Sequence, residues 1–156
     1  MQQMAKKLQG LIARTTNMVA RLEQYMGCTL QEILILTYMR DNGFDKENNI
    51  YAVDIQKKMH ISRSSVSVII SGLVTEGYLV RQFDERNRKK TLLIITKKGE
   101  EQLDHVNEKF KGYIAQVRRQ FNEEKFHQFI DLADEFIDVS NHQLAQVREK
   151  INENEY

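Results

Sequence analysis

Five residues within a six-position stretch carry side chains that suit contact with DNA: Arg63, Ser64, Ser65, Ser67 and Val68. An arginine fork can bind O6 and N7 of a guanine or clamp a phosphate, and serine hydroxyls can bond phosphates or base edges. Val68 is the apolar member of this group, and a thymine methyl group would be a fitting partner. The group predicts binding to double-stranded DNA. The alternatives are plain solvent exposure for the serines and a chance exposed aliphatic residue at Val68.

These residues belong to a predicted helix whose N-cap is Ser62, because a serine hydroxyl can accept a bond from an unpaired amide of the first turn. A shorter helix over residues 54–59 and a turn at residues 60–61 come before it. Glu76-Gly77 closes the helix, since glycine adopts the left-handed conformation without steric cost. Apolar residues recur at helical spacing on the side that we expect to face a core, namely Val66, Ile69, Ile70 and Leu73.

A β-hairpin is predicted directly after this helix. Residues 78–83 and 91–95 are rich in residues that favour strands, and a charged segment of seven residues joins them. Helix, turn, helix and basic hairpin in this order describe a winged helix-turn-helix unit. In such a unit the second helix lies in the major groove and the hairpin, or wing, reaches the flanking backbone or minor groove.

The pattern IxxxMxISRSSVSxxIxxLxxEGYL over residues 55–79, followed by a basic wing that ends in LLIITKKG at residues 92–99, resembles the MarR family of bacterial transcriptional regulators. The resemblance covers nearly all of the chain. It implies a mainly α fold with a small β-hairpin wing, in which a winged helix-turn-helix DNA-binding unit is flanked by long dimerisation helices. It also implies a dimeric repressor that leaves its operator when it binds a small-molecule effector.

The wing departs from the Asp-x-Arg pattern that members of the family commonly carry, in which the Asp orients an Arg that enters the minor groove. Alignment on LLIITKKG places residues 87–89, Asn-Arg-Lys, at that pattern. Residues 84–86, Asp-Glu-Arg, satisfy it three positions earlier, at the cost of a returning strand three residues longer, and we prefer the later register. The prediction assigns groove entry to Arg88 or Arg86 and phosphate contacts to Lys89 and Lys90.

Charge is concentrated in the same part of the chain. Residues 54–98 hold ten Lys or Arg against four Asp or Glu, a local charge of +6, while the rest of the chain carries −5. A basic segment of this kind suits a phosphate backbone, because each neutralised phosphate releases counterions. A merely solvated charged loop is the alternative.

Long amphipathic helices are predicted on both sides of this unit. One spans residues 8–26. A second runs from residue 30 to about residue 41, and Thr29 and Glu32 form a capping box at its N-terminus. After the wing, Thr96 and Asn122 are suitable caps for two helices with long apolar stripes. Stripes of this length need a partner surface, so we expect a homodimer that prefers a pseudo-palindromic site.

The expected organisation is a single domain over residues 1–156, with a DNA-binding unit over 50–98 and dimerisation helices over 1–27 and 97–152. Composition agrees, because 41% hydrophobic and 29% charged residues in 156 are ordinary for a globular domain. The sequence has no apolar run of about 20 residues and no secretory signal, so we expect a cytoplasmic protein without membrane contact.

Residues outside the DNA-binding unit suggest regulation. Cys28 lies just ahead of a predicted helix, where a thiolate could be stabilised, so a redox sensor is one hypothesis and an idle or buried thiol the other. The resemblance to the MarR family implies a cleft for aromatic effectors between the dimer helices and the DNA-binding unit. Tyr25, Met26, Tyr38 and Met39 could line it, with core packing as the alternative.

Catalysis is not expected. The sequence lacks a glycine-rich phosphate loop, a nucleophile elbow and a paired catalytic carboxylate, and its four His residues lack the spacing of metal ligands. We therefore expect no cofactor and no metal. Two rival functions remain, namely a winged-helix protein-interaction module, which the altered residues 87–89 keep open, and a sequence-tolerant architectural DNA binder.

Overall fold

The computed structural model describes residues 1–43, 49–84 and 91–154, with side chains as far as residue 147. In these ranges the chain forms six helices and one two-stranded antiparallel sheet, which confirms the predicted mainly α fold with a small hairpin. The elements are α1 Gln2–Met26, α2 Leu30–Gly43, α3 Ala52–Met59, α4 Arg63–Thr75, β1 Leu79–Phe83, β2 Thr91–Ile95, α5 Lys97–Gln120 and α6 Glu123–Asn154.

The ends of α1 and α2 follow from local chemistry. Gly27 ends α1 in the left-handed conformation, at φ 80°. The amide of Thr29 then donates to Glu32 Oε2 (2.8 Å) and the amide of Glu32 donates to Thr29 Oγ1 (3.2 Å), which confirms the predicted capping box. Helix α1 begins at Gln2, six residues before the predicted start, because residues 2–7 favour helix and Met4 lies one helical turn before Leu8.

A hydrophobic core joins α2, α3, α4, the hairpin and the start of α5. The predicted inward residues Val66, Ile70 and Leu73 are buried in it, whereas Ile69 is only partly buried. The other elements supply the remaining members of this core, among them Ile35, Met39, Ile55, Leu79, Leu93 and Leu103. Helix α4 is therefore held on its apolar side by every neighbouring element, and its opposite side faces solvent.

The hairpin pairs Leu79 with Ile95 and Phe83 with Thr91. Strand β2 has the predicted bounds, while β1 begins one residue later than predicted. The reason is that the amide of Tyr78 donates to Leu73 O (2.8 Å) and so completes the C-terminal turn of α4, in which Gly77 has φ 74°. The amide of Leu93 also donates to Ile50 O (2.9 Å), so the hairpin is bonded to the segment ahead of α3.

The chain divides into two compact units, residues 1–110 and 111–156. In the second unit, Asn122 caps α6 by accepting from the amide of Lys125 (3.2 Å), as predicted. The Phe121 ring packs edge-on against those of Phe126 and Phe129, with centroids 6.4 Å apart in both pairs. Farther along α6, large apolar side chains are exposed, and Phe136 is 51% exposed. None of the helices in the described ranges combines the length and the apolar character that crossing a bilayer requires.

Candidate nucleic-acid interface

The start of α4 is organised by three serine hydroxyls. Ser62 Oγ accepts from the amide of Ser65 (3.1 Å), which confirms the predicted N-cap. The same oxygen lies 2.8 Å from the hydroxyl oxygens of both Ser64 and Ser65. Hydroxyls and unpaired amides thus converge at a helix N-terminus, an arrangement that suits a phosphate.

The predicted DNA-contacting residues of α4 share one solvent-exposed surface. We call this the recognition surface, and it consists of Arg63, Ser64, Ser65, Ser67 and Val68. Val68 is 73% exposed, although the neighbouring Val66 is buried. The surface has the composition expected of a helix that lies in a major groove, and its contacts with DNA remain predictions.

The turn ahead of α4 takes an uncommon backbone conformation. His60 has φ 52°, in the left-handed region that residues other than glycine rarely adopt. This conformation ends α3 at Met59 and leaves two residues, Ile61 and Ser62, before α4 begins. The recognition surface is therefore presented by a tight helix-turn-helix, as the sequence predicted.

Arg81 is a candidate contact that the sequence analysis missed. It lies on β1 two residues after the buried Leu79, and strand alternation places both on the same face of the hairpin. Its Nη2 donates to Ser71 Oγ on α4 (3.0 Å). In the sequence, only the side-chain alternation of β1, combined with the basic residue type, could have indicated Arg81 as a candidate contact.

A concave surface of about 540 Å³ lies between α3, α4 and the hairpin. Gln56, Arg63, Ser67 and Arg81 are among the side chains that line it. The two arginines come from different elements, so positive charge lies on both the helix side and the hairpin side of this surface. The two arginines suit an anionic backbone, although apolar side chains, among them Val53 and Leu93, also line this surface.

The end of β1 is fixed by a buried carboxylate. Asp84 is 3% exposed, and its Oδ2 accepts from the Tyr51 hydroxyl (2.7 Å). The hydrogen bond to this carboxylate, followed by burial, raises the pKa of Tyr51, so the hydroxyl keeps the proton that it donates. Asp84 is the acid of the earlier wing register. The predicted contacts Arg86, Arg88, Lys89 and Lys90 lie outside the described residues.

The surroundings of Cys28 favour its thiol over its thiolate. Burial and the nearby carboxylates of Glu32 and Glu23 raise its pKa, although Lys109 opposes them. Burial, Glu32 and Glu23 thus all favour the protonated thiol. The direction is opposite to the one that the redox hypothesis assumed from the helix N-terminus alone.

The candidate effector residues do not form one accessible group. Met26 and Met39 are buried, and Met39 belongs to the main core. Tyr25 is exposed, with Lys109 Nζ 5.8 Å from its ring centroid, and Tyr38 is half-buried. Core packing therefore accounts for both methionines. Within the part of the chain that the structure describes, no group of three or more His, Cys, Asp and Glu side chains could hold a metal ion.

The recognition surface, the turn before it and the hairpin after it define a winged helix-turn-helix protein. Residues 29–91 match the model of the MarR family, which the chain resembles over this segment. No curated protein matches the chain in sequence. The family and the fold support a DNA-binding transcriptional regulator.

Solved structures share the fold at low sequence identity. A MarR family transcription regulator is 16% identical with a TM-score of 0.69, over 90% of this chain and 94% of that one. YusO from Bacillus subtilis is 17% identical with a TM-score of 0.63, over 88% and 94%. A substituted form of MepR from S. aureus, bound to an oligodeoxyribonucleotide, is 14% identical with a TM-score of 0.57, over 86% and 96%.

Proposed function

We propose that this protein is a dimeric, sequence-specific repressor that binds a pseudo-palindromic operator through α4 and leaves it when a small-molecule effector binds. The observation that carries the proposal is the recognition surface, an exposed and mostly polar face with one arginine and one valine, on a helix whose opposite side packs into the core. None of its side chains belongs to the core, although the hydroxyls of Ser64 and Ser65 bond that of Ser62 at the N-terminus of α4.

Within this surface, Arg63 is assigned the specific contact. It stands in the first turn of α4, where recognition helices contact base edges, and its guanidinium can bond a guanine in two places. Ser64, Ser65 and Ser67 would bond phosphates or base edges, and Val68 would contact a thymine methyl group. Arg81, held by Ser71, adds a phosphate contact from the hairpin side.

For the wing, the buried Asp84 supports the earlier Asp-x-Arg register over the later one that we preferred on sequence. An acid in this place is already fixed by a hydrogen bond to Tyr51 and can orient a nearby arginine. We therefore assign groove entry to Arg86, with Arg88 as the alternative and Lys89 and Lys90 as phosphate contacts.

Dimerisation is supported by the apolar side chains that α1 and α6 expose. Leu11, Ile12 and Met18 are exposed on α1, as are Phe129, Phe136 and Ile137 on α6. Exposed apolar stripes of this length mark surfaces that a partner covers. A two-fold dimer presents two α4 helices to successive major grooves, about 34 Å apart, which favours an inverted-repeat site.

Release by an effector requires that the effector bind the off-DNA geometry more tightly, by roughly 1–3 kcal/mol. Tyr25 and Tyr38 are the candidate contacts with accessible surface.

Fluorescence-anisotropy titration against DNA from upstream of the protein's own coding region, with random-sequence competitor and a salt series, tests the proposal. We expect nanomolar binding that survives competitor, and a loss of about tenfold or more for Arg63→Ala, the effect of a lost bidentate contact. Arg119→Ala, which removes an exposed arginine from the C-terminal part of α5, is the matched control and should bind as the wild type.

The two rival functions predict different results. Binding that random DNA competes away, with a specificity ratio well below about a thousand, would indicate an architectural DNA binder. Absence of DNA binding at low salt would favour the protein-interaction module.

A further inference from the structure

Tyr51 stands at the junction of the helix-turn-helix and the hairpin. Its amide donates to Asp54 Oδ2 (2.9 Å), and its carbonyl oxygen accepts from the amide of Asp54 (3.0 Å). The backbone of Tyr51 is thus locked to the first turn of α3. Helix α3 in turn contributes the buried Ile55 to the core that holds α4.

The same short segment also holds both strands of the hairpin. Ile50 O accepts from the amide of Leu93 on β2 (2.9 Å), and the Tyr51 hydroxyl donates to Asp84 at the end of β1 (2.7 Å). A carboxylate that is 3% exposed is costly unless it is hydrogen-bonded, so Asp84 depends on donors such as this one. The phenol is therefore a side-chain link from the start of α3 to the point where the chain leaves β1.

We propose that Tyr51 is a positioning residue for DNA binding, which fixes the direction of the hairpin relative to α4 through Asp84. The inference rests on the proposed function. With the hairpin held in place, contacts by the hairpin and by α4 form on one preorganised body, and no orientational freedom of the hairpin is lost on binding. Loss of the hydroxyl should weaken the hairpin's contribution and leave that of α4 intact.

Two duplexes separate these contributions. A long duplex contains the operator with its flanks, and a short duplex is trimmed to the base pairs that the two α4 helices contact. Tyr51→Phe should bind the long duplex roughly tenfold more weakly than the wild type, the order expected of one lost hydrogen bond to a charged group. On the short duplex the two proteins should bind equally, a result that general destabilisation would not give.

Tyr113→Phe is the matched control, because it removes a tyrosine hydroxyl from α5 and should leave both affinities unchanged. A double-mutant cycle adds a second test. If Tyr51 acts through Asp84, Tyr51→Phe should have little further effect in an Asp84→Asn background. In the free protein, hydrogen exchange at the Leu93 amide should be faster in Tyr51→Phe than in the wild type, while exchange in α2 stays the same.

The outcomes distinguish this inference from the proposed function. Tyr51→Phe that matches the wild type on the long duplex, or that loses affinity equally on both duplexes, overturns the positioning role and leaves the proposed function standing. A wild-type protein that binds neither duplex overturns the proposed function, and the inference with it.

Discussion

The environment of Cys28 decides its chemistry more than its place in the sequence does. The positive end of α2 would stabilise a thiolate, but one of the carboxylates near the thiol, Glu32, forms the cap of that helix. The cap therefore brings a negative charge to the place where the helix dipole is positive. Burial acts in the same direction, so the protonated thiol is favoured.

We expect Cys28 to react slowly with iodoacetamide at pH 7 and to show an alkylation midpoint above that of free cysteine. Because its pKa is raised, the thiolate fraction stays small until the pH passes the ordinary value. Alkylation rates measured against pH give the midpoint, and the same protein in denaturant, with an ordinary midpoint, is the control. A midpoint at or below that of free cysteine would support the redox hypothesis.

At this scale, sequence reasoning succeeded where the chemistry is local. The Ser62 cap and the left-handed Gly77 follow from residue type and from neighbours within four positions. Arg81 and Asp84 could not be assigned in the same way. Their roles depend on strand register and on contacts with Ser71 and Tyr51, which are 10 and 33 positions away.

At the scale of elements, the junction of the hairpin with α5 is tightly packed at Gly99. Thr96 caps α5 by accepting from the amide of Gly99 (3.0 Å), and its own amide donates to Tyr78 O (3.0 Å). The first turn of α5 is thereby drawn onto the backbone at the start of the hairpin. A Cβ at Gly99 would overlap the carbonyl oxygen of Tyr78, which a side-chain rotation cannot relieve.

Gly99→Ala should therefore lower the free energy of unfolding by about 2 kcal/mol or more, the cost of overpacking against backbone. Gly72→Ala is the matched control, because a Cβ there meets nothing within 4 Å and alanine favours helix. It should raise the same free energy by up to about 1 kcal/mol. Urea unfolding of both variants measures the difference, and a Gly99→Ala protein as stable as the wild type would contradict the packing described here.

Periodicity predicted the elements well and their ends less well. The bounds of β2 and the start of α4 agree with the sequence analysis because turn residues and a cap mark them. Helix α1 starts earlier, since residues 2–7 have helical propensity and Met4, four residues before Leu8, extends the apolar spacing by one turn. Strand β1 starts one residue later than predicted because the amide of Tyr78 donates to Leu73 O and so completes the C-terminal turn of α4.

At the scale of the whole molecule, the proposal depends on a second copy of the chain. Helix α6 has exposed apolar side chains along its length, while Gln128 and His142 lie on a polar side. Phe136→Glu should convert the dimer to monomer, because a charge cannot be buried in an apolar interface without a partner. Sedimentation equilibrium measures the mass.

Gln128→Glu places the same charge on the polar side of α6 and should leave the dimer intact. Binding to a two-half-site operator should fall steeply in Phe136→Glu, since a monomer contacts one half-site at a time. A wild-type protein that sediments as a monomer, or a Phe136→Glu protein that remains a dimer with full affinity, would contradict the assembly.

Selection of bound duplexes from a random-sequence pool, followed by sequencing, tests the central claim most directly, because it assumes no operator. A dimer that contacts DNA through two α4 helices should enrich an inverted repeat whose half-sites are about 10–10.5 base pairs apart, centre to centre. The same selection with Arg63→Ala should lose preference at a defined position of each half-site. A wild-type pool that stays random after repeated rounds would contradict sequence-specific binding through the recognition surface.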